Sequence, residues 1–304
     1  PYRAPFKVIS IGNLSCGGSG KTPIAIALAQ ELSTRNWSVA YSSRGYKSRL
    51  ENSAKLIYDG HKLLASPSDV GDEAIMAALS LPGIPVFCGK RRTEVLQLAQ
   101  DLIPNLELMI LDDAFQHLKV ARDVEIVVFD SEIGLGNGFV LPAGYLREGL
   151  AAISPNSICL LHQKPQGPEN PALREKLIST GAKVYTVTSS SGDILHKDKR
   201  IELHHLQGKS ISLVSAIAHP ESFARSVSAL GLSYARHHIF PDHYLFQDAQ
   251  SINQLKRDTS DYLLCTAKDA GKLIPNFGDR LLILTMKTKL APDFIQDLQT
   301  RLKA

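Results

Sequence analysis

Gly20, Lys21 and Thr22 follow one another near the end of "GNLSCGGSGKTP", with Gly17 and Gly18 just before them. Glycines at this spacing let the backbone turn so that several N–H groups face inward and can hold phosphate oxygens. A lysine next in line reaches the β- and γ-phosphates of a nucleotide, and the hydroxyl after it can hold Mg2+. The general pattern opens on a glycine; Ser15 takes that place here. The motif needs a strand before it and a helix after it. "KVISI" (7–11) supplies the strand. "TPIAIALAQELSTRNW" supplies the helix, with Ile24, Leu28 and Leu32 on one face and Pro23 in the first turn.

Carboxylates and cations complete the inventory. Asp112 and Asp113 close the apolar run "LELMILDD". Ligands of open α/β sheets gather at the carboxyl ends of strands, so this pair can organise Mg2+ or its water shell. Asp130 ends "VEIVVFD" in a similar place and fits a structural role as readily. Three basic segments, "SSRGYKSR" (42–49), "GKRR" (89–92) and "PAGYLRE" (142–148), lie near expected strand ends. One such run is ordinarily a solvated face, but several on one sheet edge would bind phosphates. The guanine-reading N-K-x-D is absent, because "TAKD" sets Lys268 and Asp269 side by side; the D-x-x-G of a GTPase switch is absent as well.

The elements that must carry these groups alternate along the chain. "SVAYSS", "IPVFCG", "LELMIL", "VEIVVFD", "SICLLH" and "KVYTV" read as buried strands, and "DEAIMAALSL" and "RTEVLQLAQDLI" as helices. "KLIYDGHKLL" reads as a hairpin turning at Asp59-Gly60. Near-continuous apolar strands between helices predict a mainly parallel sheet covered on both faces. A polar stretch at about 189–210 is expected to be a linker. Beyond it, "ISLVSAIA", "PESFARSVSALG", "AQSINQLKR", "DYLLCTA" and "RLLILTM" predict a smaller α/β unit.

Composition narrows the class. At 304 residues and 44% hydrophobic content the chain is globular, long enough for one large domain with a smaller companion. A net charge of +4 is too mild to imply nucleic acid, though it suits an anionic substrate or an acidic membrane surface. The four cysteines form no C-x-x-C pair, which points to reduced thiols and away from a zinc or disulfide framework. No apolar run of about 18 residues and no signal peptide occurs. The chain opens on Pro1, so a preceding anchor is expected to have been removed.

In order, "IGNLSCGGSGKTP", "SSRGYKSR", "DVGDEA", "LDDAFQH", "GFVLPAGYLREGL", "AIAHPESF", "FPDHYLF" and "TAKDAGKL" run from residue 11 to 273. This series resembles the tetraacyldisaccharide 4′-kinases, the lipid A 4′-kinases of Gram-negative bacteria. That family carries Ser or Thr at the place of Ser15. Ala114, Tyr145 and Tyr244 depart from its commoner Gly, Pro and His. The resemblance implies a P-loop NTPase-type α/β fold, with a kinase core over 1–205 and a smaller domain over 206–304 closing over the nucleotide site. It implies transfer of the γ-phosphoryl of ATP, with Mg2+, to the 4′-hydroxyl of a tetraacyl disaccharide 1-phosphate.

The resemblance also assigns residues. Asn13, Ser15, Cys16, Gly17, Gly18, Ser19, Gly20, Lys21 and Thr22 would hold the nucleotide, and Thr22, Asp112, Asp113 and Glu148 the metal. Lys21, Asp72 and His243 would be catalytic, with Asp72 the base, His243 its partner and Asp69 the alternative base. Arg44, Tyr46, Arg91, Arg92, Gln116, His117 and Arg147 would face the substrate, and Thr266, Lys268 and Asp269 the nucleotide base or hinge. His237 and His238 are expected to be structural or exposed. Expected partners are the lipid substrate and, peripherally, the cytoplasmic face of the inner membrane, without nucleic acid. "PYRAP" would directly follow a hydrophobic segment that this chain lacks. A nucleotide-switched P-loop ATPase and a soluble small-molecule kinase are the competing functions.

Overall fold

The computed structural model describes residues 1–16, 18–45, 52–65, 69–164, 167–197 and 199–303. Gly17 and Tyr46 lie outside them. Along the chain the elements are β1 (Lys7–Gly12), α1 (Lys21–Thr34), β2 (Val39–Ser43), β3 (Lys55–Tyr58), α2 (Asp72–Ser80), β4 (Val86–Cys88), α3 (Arg92–Leu102), β5 (Leu108–Asp112), β6 (Val124–Asp130) and β7 (Ile158–Gln163). There follow α4 (Pro171–Ile178), β8 (Lys183–His196), β9 (Lys199–Ile201), β10 (Ile211–Ser215), α5 (Pro220–Ala229), β11 (Arg236–Ile239), α6 (Ala249–Lys256), β12 (Tyr262–Thr266), α7 (Ala267–Phe277), β13 (Leu281–Lys289) and α8 (Pro292–Lys303).

The chain divides into two compact units, Pro1–Ser190 with Thr288–Ala304, and Ser191–Lys287. The expected boundary at 205/206 therefore falls inside the second unit, and the residues after β13 return to the first. In unit 1 the strand order is β8-β7-β6-β1-β5-β2-β4-β3. Every neighbouring pair is parallel except β3 with β4. β5 is buried at every position and β1 at all but its first, because helices cover both faces of a parallel sheet. In unit 2 the order is β11-β10-β12-β13, again parallel.

One of these sequence expectations changes, and two helices are added. The linker at 189–210 is largely strand: β8 runs on to His196 and β9 pairs back on it antiparallel. "KVYTV", expected as a buried strand, forms the start of β8 but is mostly exposed or half-buried, and the polar remainder of β8 shows no apolar run. "TAKDAGKL" and the segment after β13 form α7 and α8, neither of which the apolar pattern had suggested. In α8, Phe294, Ile295, Leu298 and Leu302 are buried in the same core cluster as Ile9, Ile24 and Val187. Each such side chain contributes ~1.5–3 kcal/mol, which ties this segment to unit 1. The turn at Asp59-Gly60 forms as expected, with the Asp59 carboxylate accepting from the His61 and Lys62 N–H groups at 2.8 and 2.7 Å.

Candidate active site

β1 delivers the chain into the glycine loop beneath a tight contact. A Cβ on Gly12 would collide with Phe115, so only glycine fits where β1 passes the "DDAFQH" turn. Asn13 is buried and its amide donates to the Ser15 carbonyl at 2.9 Å and to the Ser15 hydroxyl at 3.2 Å. Ser15 pairs antiparallel with Leu146. On either side of that bridge the Cys16 N–H donates to the Tyr145 carbonyl at 2.8 Å, and the Arg147 N–H to the Leu14 carbonyl at 2.6 Å. The loop entrance is therefore a rung of sheet, a backbone state any side chain adopts. This is why serine can replace the usual glycine.

The loop closes on Gly20, at φ 82°, in the left-handed region that favours glycine. α1 starts next, with no side-chain cap and no acidic residue in its first turn. Its positive end is thus not neutralised by its own sequence. The Ser19 hydroxyl is buried and has no hydrogen-bond partner among the described residues.

β1 and β5 are in register with Ile11 opposite Asp112. Asp112 is nearly inaccessible, and one of its oxygens accepts from the Thr22 hydroxyl at 2.7 Å and from the Tyr41 hydroxyl at 2.8 Å. Burial raises the Asp112 carboxyl above its usual range, against the pull of Lys21 and the Thr22 hydrogen bond. Asp113 behaves oppositely. Burial pushes it up, but Lys21, Arg147 and Arg92 outweigh that and leave it low. Lys21 Nζ stands 3.4 Å and Arg147 3.8 Å from its carboxylate. The Asp113 backbone is left-handed, at φ 52°, as the chain turns out of β5.

The basic segments separate on inspection. Arg92 is buried; its guanidinium donates to the Asp112 carbonyl, to the Ser42 hydroxyl at 2.9 Å and to the Gly89 carbonyl at 3.3 Å. It ties the ends of β2, β4 and β5 together through its two terminal nitrogens, while its buried Nε has no partner among the described residues. Arg91 is exposed and paired with Glu94 at 2.8 Å. His117, expected to face the substrate, is lowered to about 4 by burial and by the positive charge of Arg92 and Arg44. Asp113 acts on the same ring in the opposite sense. Gln116 donates to the Asn13 carbonyl at 3.1 Å, so it braces the loop. Arg147 and Glu148 directly follow the residues that pair with the loop entrance. Asp72 opens α2, half-buried, after Gly71. Its neighbour Glu73 acts electrostatically on the buried Tyr41 hydroxyl, which burial and then Asp112 hold well above the ordinary tyrosine range.

In unit 2, His243 adopts a left-handed backbone, φ 65°, and its N–H donates to the Ala216 carbonyl at 3.2 Å. Its ring Nε2 is 3.3 Å from Lys268 Nζ, which also donates to Asp242 at 2.8 Å. Burial works upward on Asp242, but Lys268 and His243 outweigh it and lower its carboxyl. Asp269 is fully buried, accepting from the Ala216 N–H at 3.0 Å and the Thr266 hydroxyl at 2.9 Å and paired with Lys272 at 3.0 Å. His238 is buried against Asp258 at 2.8 Å, a structural pair as expected.

A family model described as tetraacyldisaccharide-1-P 4'-kinase matches residues 1–303. The chain belongs to that family. A tetraacyldisaccharide 4'-kinase of Anaeromyxobacter dehalogenans is 34% identical over 300 residues, covering 95% of this chain and 79% of that protein. One of Delftia acidovorans is 34% identical over 310 residues, covering 99% and 82%. The crystal structure of LpxK from Aquifex aeolicus in complex with ATP superposes with a TM-score of 0.82 at 28% identity, covering 99% of this chain and 90% of that one.

Sequence reasoning missed two buried side chains that touch the candidate site, Tyr41 on Asp112 and His162 on the Ser19 carbonyl. Tyr41 lies inside "VAYSS", where a tyrosine reads as core. His162 lies near the end of β7, a polar residue closing an apolar run just as Asp112 does. The strand-end rule that found Asp112 reaches His162 too.

Proposed function

We propose that this chain transfers the γ-phosphoryl group of ATP to the 4′-hydroxyl of a tetraacyldisaccharide 1-phosphate. The observation that carries the reading is the junction of Lys21, Thr22, Asp112 and Asp113 at the uncapped start of α1. The residues present fit ATP and Mg2+. Ser19 has a buried hydroxyl with no partner among the described residues, and Thr22 with the two aspartates is an all-oxygen donor set. Among the described residues no group of three or more His, Cys, Asp or Glu side chains stands ready for a metal. A magnesium ion shared with phosphates needs only one or two protein carboxylates.

Lys21 and the backbone of residues 18–22 would hold the phosphates, and Thr22 with Asp112 and Asp113 would hold Mg2+; Glu148, the third carboxylate expected there, is not grouped with them. When bound, the ion neutralises charge on the phosphates. Lys21, released from Asp113 towards the phosphates, and Arg147 supply the protein's positive charge. Asp72 is assigned as the base that takes the acceptor hydroxyl's proton, with Asp69 the alternative. Arg44 and His117 are assigned to the lipid's polar head.

A peripheral membrane contact belongs to the same reading. Gly134–Tyr145 contains no Asp, Glu, Lys, Arg or His, and within it Phe139, Val140 and Leu141 are 64, 45 and 54% exposed. Its backbone is bonded to Leu146, which pairs with the loop entrance, so this apolar tip sits beside the phosphate site. No described helix is long and apolar enough to cross a membrane.

The test is incubation with ATP labelled in its γ-phosphate and the lipid disaccharide 1-phosphate. Label moves to the lipid. ATP binding without lipid-linked label overturns the assignment.

A further inference from the structure

His162 is a buried titratable side chain with no part in the scheme above. Its register partner on β6 is Asp130, and its ring turns towards the phosphate loop. Nδ1 is 3.0 Å from the Ser19 carbonyl oxygen. A carbonyl only accepts, so the ring proton sits on Nδ1. Nε2 is 2.8 Å from the Ser189 hydroxyl and accepts from it. The Ser189 oxygen in turn stands 3.3 Å from the Thr288 hydroxyl, which donates to it. Burial lowers the basicity of the imidazole and favours this neutral ring.

The effect on the loop follows from peptide geometry. The Ser19–Gly20 bond is trans, so its C=O and N–H point in opposite directions. Fixing the carbonyl on His162 turns the Gly20 N–H away from β7. The same ring occupies the space a Cβ on Gly20 would need. One side chain therefore sets both the orientation of this peptide and the residue type allowed after it.

We propose that His162 is a positioning residue for the phosphate loop: its Nδ1–H holds the Ser19 carbonyl so that the Gly20 N–H is aimed at a bound triphosphate. Ser189 and Thr288 lock the ring in the required tautomer. This rests on the reading that the loop binds ATP.

Calorimetric titration with Mg-ATP separates the alternatives. In His162→Asn the side-chain amide N–H falls where Nδ1 stood; in His162→Gln it falls where Nε2 stood. Loss of one buried hydrogen bond predicts that His162→Leu and His162→Gln bind ATP about tenfold more weakly, with His162→Asn within about threefold of wild type. The KM for the lipid stays unchanged in all three. His162→Leu binding ATP like wild type, or Asn and Gln variants alike, overturns the proposal. Independently of any variant, ring 15N shifts of the wild-type protein must show the Nδ1–H tautomer; the Nε2–H form overturns it. Wild-type protein that fails to bind ATP refutes the nucleotide reading itself, and the proposal with it.

Discussion

Each unit ends a parallel strand near a buried aspartate, yet the two carboxylates are held for different work. In unit 1, Asp112 accepts from two side-chain hydroxyls, Thr22 and Tyr41, beside a helix start that has no side-chain cap among the described residues. In unit 2, Asp269 accepts from a backbone N–H and from Thr266, the residue that caps α7, and Lys272 neutralises it. Unit 2's arrangement is closed: helix end, carboxylate and cation satisfy one another. Unit 1's is open, with a hydroxyl and a lysine that can turn to another anion. A buried strand-end aspartate is thus a sign of chemistry only where its neighbours leave the helix terminus unfilled.

The sharpest way to break this contrast is to remove one lysine from each unit. Lys21→Ala should lower kcat/KM about a thousandfold, the scale of losing a transition-state charge contact, with little change in melting temperature. Lys272→Ala should do the reverse. It strands the fully buried Asp269 charge and should cost about 3 kcal/mol of stability in urea unfolding. If Lys21→Ala unfolds the protein, or Lys272→Ala leaves stability intact, the distinction between an open and a closed site collapses. A smaller effect separates two adjacent arginines within unit 1. Arg92→Ala should cost about 2 kcal/mol through its lost buried hydrogen bonds, while Arg91→Ala should stay within about 0.5 kcal/mol. Matching stability losses would mean that Arg92 is no part of the framework.

The smallest effect concerns acid. Folding lowers His117 from 6.5 to about 4 through burial and then Arg92 and Arg44. Between those values the unfolded chain binds a proton at His117 that the folded chain does not. Its penalty is absent above pH 6.5 and grows as pH falls towards about 4. His117→Gln should therefore flatten the fall of melting temperature with acid across that window; an unchanged slope would show that unit 1's positive field does not reach His117.

Much of unit 1 was legible because its groups are local in sequence. A strand, a glycine loop and a helix follow one another, and Asp112-Asp113 ends an apolar run. Arg92 was not legible as framework, because a basic run looks the same whether it is solvated or turned inward. Tyr41 and Asp112 are partners across β2 and β5, a pairing no local spacing shows. In unit 2, β10, β12 and β13 lie in apolar runs that were readable, while β9 fell inside the expected linker and β11 was not read as a strand. α7 was not readable, since Gly271 and Pro275 interrupt its helical preference. The second half of β8 hid because it buries few of its positions, and α8 because its apolar residues were not read as one helical face.

The return of the chain to unit 1 after Lys287 also constrains how the protein is made. On the ribosome the whole of Ser191–Lys287 emerges before Phe294, Ile295, Leu298 and Leu302 are available to the core they complete. The first unit begun is the last finished. A nascent chain must hold the unfilled side of that core, Ile9 and Ile126 among its residues, through the synthesis of an entire second unit. Translation stalled in this interval leaves a complete unit 2 attached to an apolar surface that still lacks its cover.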